Sequence, residues 1–119
     1  ARRAYLCKIT SGAISSIPKI AKVAFGSGGV DDLGEPIPPS ETDTGLRQLV
    51  AMYPIASVTY PSETTARYTV TIPKEDLAGV SISEAALVDE AGVYNAIKTM
   101  YAKRKDEGVS FELAFDDEF

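Results

Sequence analysis

The sequence predicts a mainly β (α+β) fold, an antiparallel β-sandwich or sheet with one short helix near residues 42-52 and a long Gly/Pro loop at 26-40. Three observations lead there. Short runs of alternating apolar and polar residues recur along the chain, Gly/Pro clusters punctuate them, and 119 residues can bury one core but not two. Residues 1-119 are therefore expected to form a single domain.

The elements follow in chain order. Tyr5, Cys7 and Ile9 alternate with Leu6 and Lys8 until Ser11-Gly12 breaks the run, which reads as a first strand. Ala21, Val23 and Phe25 share one side of a second strand that ends in Gly26. The segment from Gly26 to Ser40 holds prolines and glycines that cannot sustain a ladder, so it is expected to be a loop ordered only by outside contacts. Ser40, Thr42 or Asp43 can then cap a helix in which Leu46, Leu49, Val50 and Tyr53 recur at helical spacing until Pro54. Ile55 to Tyr60 and Ala66 to Ile72 read as a hairpin joined by Pro61 to Thr65, with Ala66, Tyr68, Val70 and Ile72 on one face. Val109, Phe111, Leu113 and Phe115 alternate cleanly at the end and predict a strand over the core.

Between Ser81 and Lys105 two readings compete. Val93, Ala96, Ile97, Met100 and Tyr101 fall at helical intervals, whereas two strands could instead turn at Asp89-Glu90-Ala91-Gly92. Propensity leans slightly to helix, and tertiary pairing overrides so small a bias.

Composition narrows the function. There is no histidine, which removes the usual general base at neutral pH and most zinc and Ser-His or Cys-His sites. Cys7 is the sole cysteine, expected as a buried, inert thiol. The stretch Gly26-Ser27-Gly28-Gly29 lacks the Lys-Ser/Thr of a phosphate-binding loop, since Val30-Asp31-Asp32 follows. Asp31, Asp32, Asp116, Asp117 and Glu118 lack the ligand spacing of a calcium loop and read as exposed loop and tail charges. No catalytic, cofactor-binding or metal residue is nominated, and the chain is expected not to be an enzyme. A net charge of -5 disfavours nucleic acid, and Lys103-Arg104-Lys105, followed by Asp106-Glu107, reads as a solvated turn. No apolar run approaches the roughly 20 residues of a membrane-spanning helix, and no h-region follows Arg2-Arg3.

Longer patterns carry a resemblance. KVAFGSGGVDDLGEPIPPSETDTGLRQ, then ISEAALVDEAGVYNAIK with Ile82, Glu84, Leu87, Asp89 and Gly92, then the terminal VSFELAFDDEF, together resemble the phage tail-collar fibre family over about the last hundred residues. The front departs from it, because Ile9-Thr10 leads only into SGAISSIPK, whose Pro18 cannot sit inside a helix. The resemblance implies strands across Ser81 to Lys105. It also implies a structural part of a phage tail or prophage tail-like particle, joining a fibre to the baseplate or tail tip. Such a chain would be made in the bacterial host cytoplasm and reside in the virion tail. Its partners would be other tail or baseplate proteins and copies of itself, with a trimer suspected. A carbohydrate- or receptor-binding β-sandwich module is the alternative, with Tyr5, Tyr60, Tyr94 and Tyr101 as stacking platforms.

Two further expectations concern Ser81 to Asp89. Strict alternation puts Ile82, Glu84, Ala86 and Val88 on one face and Ala85 and Leu87 on the other, so both faces are largely apolar and one is expected to be an interface between copies. Glu84 would then be a buried carboxylate in need of a cation, with Arg67 the better candidate and Arg47 the other.

Overall fold

The computed structural model describes residues 2–40, 43–73, 75–77, 79–105 and 111–118. Its elements are α1 (Arg2–Thr10), β1 (Ile20–Gly26), β2 (Leu49–Pro54), β3 (Ser57–Ser62), β4 (Thr65–Ile72), β5 (Ser81–Asp89), β6 (Tyr94–Arg104) and β7 (Phe111–Glu118). The strands form a four-stranded sheet ordered β2-β1-β5-β6 and a three-stranded sheet ordered β3-β4-β7. Every pairing is antiparallel.

The apolar sets of the two sheets meet as the core. Val23 and Phe25 of β1 and Ile82, Ala85 and Leu87 of β5 pack with Val70 and Ile72 of β4 and Phe115 of β7. That arrangement is a β-sandwich, and β5, flanked by β1 and β6, is its most buried strand. The expected strands at Ile20 to Gly26, in the hairpin and through Ser81 to Lys105 are present. The terminal strand runs from Phe111, while Val109 lies outside the described residues. No helix among the described residues is long and apolar enough to cross a membrane.

Two elements differ from expectation. Residues 2–10 are helical, because the alternation of Tyr5, Cys7 and Ile9 is too short to outweigh the helix-forming Ala, Arg, Leu and Lys around it, and the chain leaves the helix through Gly12. Gly12 takes φ 82°, its amide donates to the Ile9 carbonyl at 3.1 Å and the Ala13 amide to the Lys8 carbonyl at 2.8 Å. This left-handed glycine cap explains the Ser11-Gly12 break as a helix end. Cys7 consequently lies exposed on α1.

No helix forms at 43–52. Asp43 and Ser40 bond to each other, the Asp43 amide reaching the Ser40 carbonyl and the Ser40 amide the Asp43 carboxylate, while Thr42 lies outside the described residues. Leu49–Pro54 pairs instead with β1, from Lys22 opposite Pro54 to Gly26 opposite Leu49. A ladder along β1 satisfies one edge of this segment's backbone, and it puts Tyr53 against Phe25 with ring centroids 6.2 Å apart.

Candidate functional site

β5 does not alternate strictly. Its register against β6 shifts between Ile82 and Glu84, where Ser83 alone stands opposite the three residues Met100 to Ala102 of β6. Ile82 therefore joins Ala85 and Leu87 in the core between the sheets, while Ala86 and Val88 pack with Ala24 on the other face. Leu46, Tyr94 and Ile97 cover that second face. Both apolar faces of β5 are thus occupied by the chain itself, which removes the reason to expect a contact between copies there.

At this irregularity Ser83 and Glu84 both face the same loop. Glu84 is only 1% exposed, and its carboxylate accepts three backbone amides, from Gly28 at 2.8 Å, Arg47 at 2.8 Å and Gln48 at 2.9 Å. The Gly29 amide donates to Ser83 Oγ at 2.9 Å. Amide donors converging on a carboxylate stabilise its charge without a cation. Neither expected arginine pairing occurs. Arg67 projects from the other sheet and holds Asp116 through two bonds at 2.7 and 3.0 Å, while Arg47 contributes its backbone amide.

Glycine is needed where this carboxylate crosses the loop. A Cβ on Gly26 would lie 2.5 Å from both the Gln48 carbonyl oxygen and Glu84 Oε2. On Gly28 it would come within 2.8 Å of Arg47 Cβ, and on Gly29 it would collide with the Ser83 carbonyl oxygen. The Gly26-Ser27-Gly28-Gly29 run is therefore a close-approach surface for β5.

The expectation that residues 26–40 depend on outside contacts is corrected by this geometry. The Ser27 amide bonds the Gln48 carbonyl, the Ile37 amide bonds the Gly29 carbonyl, and Val30 bridges Pro36. Asp31 Oδ1 accepts the amides of Leu33 at 2.9 Å and Glu35 at 3.0 Å. Tyr101 on β6 donates to Glu35 at 3.0 Å, tying the loop tip to the sheet. Asp31 is thus a turn-former, and Asp117, also expected as an exposed charge, is buried.

A second buried carboxylate closes the other end of β5. Asp89 Oδ1 accepts the amides of Ala91 and Val93, and Oδ2 accepts Asn95 Nδ2 at 2.9 Å and Tyr5 Oη at 2.5 Å. Burial pushes its pKa up, but the hydrogen bonds from Tyr5, Asn95, Val93 and Ala91 together outweigh that and hold it below the usual carboxylate value. The same bond, with lesser contributions from burial and charge, raises the Tyr5 hydroxyl. Asp89 so fixes both the β5–β6 turn, where Gly92 takes φ 83°, and the docking of α1.

The remaining candidates disperse. Lys105 is buried rather than solvated, its amide on the Val80 carbonyl and its carbonyl accepting from Gly79. Lys98 stands 4.4 Å from the centre of the Phe115 ring, and burial first, then Lys103, lowers its pKa against the pull of Asp116. Among the tyrosines Tyr5 is engaged with Asp89, Tyr60 is on β3 and Tyr101 on β6, in different sheets, so they do not assemble one stacking platform. Among the described residues no three metal-binding side chains come together.

Each half of the Glu84 device is visible in the sequence, as a carboxylate in an apolar strand and as a glycine-rich loop with spare amides. Strict alternation hid that they belong together. No protein-family model matches the chain, and no curated protein matches it.

Proposed function

We propose that this chain is a structural component of a phage tail or prophage tail-like particle, joining a fibre to the baseplate or tail tip through protein-protein contacts and without turnover. The observation that carries the reading is a convergence. The residues through which the sequence resembles tail-collar fibre proteins, Gly26 to Gly29 with Glu84, and Asp89 with Gly92, are those that fasten the proline-rich loop and the β5–β6 turn to the sandwich. A loop rich in proline and held by buried side chains presents a preformed surface, and preformed surfaces lose little entropy on binding.

Its partners on this reading are tail or baseplate proteins and further copies of the chain, and its place is the virion tail after synthesis in the bacterial host cytoplasm. The test is to purify particles induced from the source strain, identify their proteins by mass spectrometry, and locate this chain with labelled antibody by electron microscopy. Stoichiometric presence at the tail tip or baseplate is expected. Recovery of intact particles without the chain would overturn the proposal.

A further inference from the structure

One side of the sandwich is built differently from the other. From Gln48 to Ser62 the chain contains no Asp, Glu, Lys or Arg, and this segment comprises β2 and β3. β2 is an outer strand of the four-stranded sheet and β3 an outer strand of the three-stranded sheet. The chain passes between them within a residue, since the Ile55 amide bonds the Ala21 carbonyl beside β1 and the Ala56 amide bonds the Thr69 carbonyl on β4. The two outer strands therefore follow one another along the same side of the sandwich and carry no charged side chain of their own, with the Asp76 carboxylate held by Tyr53 at the margin.

Open strand edges template pairing with other chains, and proteins usually blunt them with charge, above all lysine. The opposite side of this sandwich is blunted. β6 carries Lys98, Lys103 and Arg104, and β7 carries Asp116 and Asp117. β2 and β3 carry no charge and are blunted more lightly, by Pro54 at the end of β2 and by Pro61 within the register shift of β3. All of β3 is exposed, on both of its faces, with Tyr60 at 75% and Val58 at 40%, while Leu49 and Met52 on β2 stand at 49% and 38%. A β-branched and aromatic strand exposed on both faces lacks the half-burial that such residues ordinarily find in a sheet.

We infer that the β2–β3 side is a self-association surface, on which a second copy of this chain pairs edge to edge about a two-fold axis and extends both sheets across the contact. A second copy fits for reasons of charge. Each chain carries a net charge of -5, so two copies repel over most orientations, and these two strands, which carry no charge of their own, are where they can approach with the fewest like charges opposed. Antiparallel pairing of a strand with itself satisfies two-fold symmetry and gives each edge the hydrogen-bond partners it lacks. This inference stands apart from the tail role and survives or fails without it.

Sedimentation equilibrium across micromolar to millimolar concentrations tests it. The native chain is expected to approach the dimer mass, with a dissociation constant that falls as salt rises, because screening relieves the repulsion while no interfacial ion pair is lost. Met52→Lys and Val58→Lys are each expected to raise that constant at least about tenfold, since the lysine introduces a charge facing its own copy. Leu33→Lys, at an exposed loop position away from this side, is expected to leave it unchanged. Circular dichroism of each variant establishes that the monomer remains folded. Amide exchange is expected to slow along β2 and β3, but not β6, as concentration rises. A monomer at all concentrations, an oligomer other than a dimer, or a dimer indifferent to both lysines overturns the inference.

Discussion

β5 and the β2–β3 side are opposite solutions to the same problem. Every residue of β5 after Ser81 is buried, and its polar side chains at Ser83, Glu84 and Asp89 find their partners within the chain. β3 has no buried residue and no charge. One strand spends its polar chemistry on holding a loop and a turn in place, whereas the other offers one open backbone edge with uncharged, exposed side chains. The contrast separates what this chain completes by itself from what it leaves to a neighbour.

The largest effect expected from breaking the first region is at Glu84. Glu84→Gln replaces one acceptor oxygen with an NH2 group that faces amide donors, and it removes the charge that the three amides stabilise. A loss of about 3 kcal/mol in unfolding free energy is expected, measured by urea denaturation. A change near zero would mean that the loop is not held through this carboxylate.

Gly29→Ala comes next. Its Cβ would meet the backbone carbonyl of Ser83, which cannot rotate away, so a cost on the order of 2–3 kcal/mol is expected. The comparison is sharpened by Gly12→Ala, where nothing lies within 4 Å and only the left-handed backbone is strained. About 1 kcal/mol is expected there. Equal losses at the two positions would deny the close approach of β5 to the loop.

Acid separates Asp89 from surface charge. Asp89 has a folded pKa below its unfolded value, so its contribution is present above the unfolded value near 3.8 and is lost as pH falls through the folded one. Asp89→Asn should therefore flatten the acid limb of a stability-versus-pH curve below about pH 4. Unfolding midpoints recorded from pH 2 to 7 would show it, and an unchanged limb would contradict the role given to Tyr5 and Asn95.

The smallest effect is expected at the exposed Arg67–Asp116 pair, despite its two-bond geometry. Water screens both groups, so Arg67→Ala should leave the thermal midpoint nearly unchanged. A large drop would place structural weight on the outer sheet that its exposure does not suggest.

Much of this architecture was legible from period-two patterning. β1, β4 and the last strand follow from alternation such as that of Tyr68, Val70 and Ile72, because one face of each meets the core. Residues Leu46 to Tyr53 misled because an edge strand with few buried residues keeps no strict alternation, and four apolar residues happened to fall at helical spacing. The front misled in the reverse sense, since three alternating residues in a nine-residue helix outweighed the Gly12 stop signal. Within the site, Glu84 could be singled out as a buried carboxylate, but its donors could not. The irregular pairing of Ser83 with Met100 to Ala102 shifts the register by geometry that no local pattern records, and backbone amides carry no side-chain signature at all.

The central claim is that Glu84 fastens the glycine- and proline-rich loop to β5 within a single chain. Amide exchange at Gly28, Arg47 and Gln48, measured on dilute protein below the concentration at which copies pair, tests it most directly. Protection comparable with that of β1, falling together at all three amides in Glu84→Gln, is the expected result. Exchange at the rate of an unstructured peptide in the native chain would contradict it.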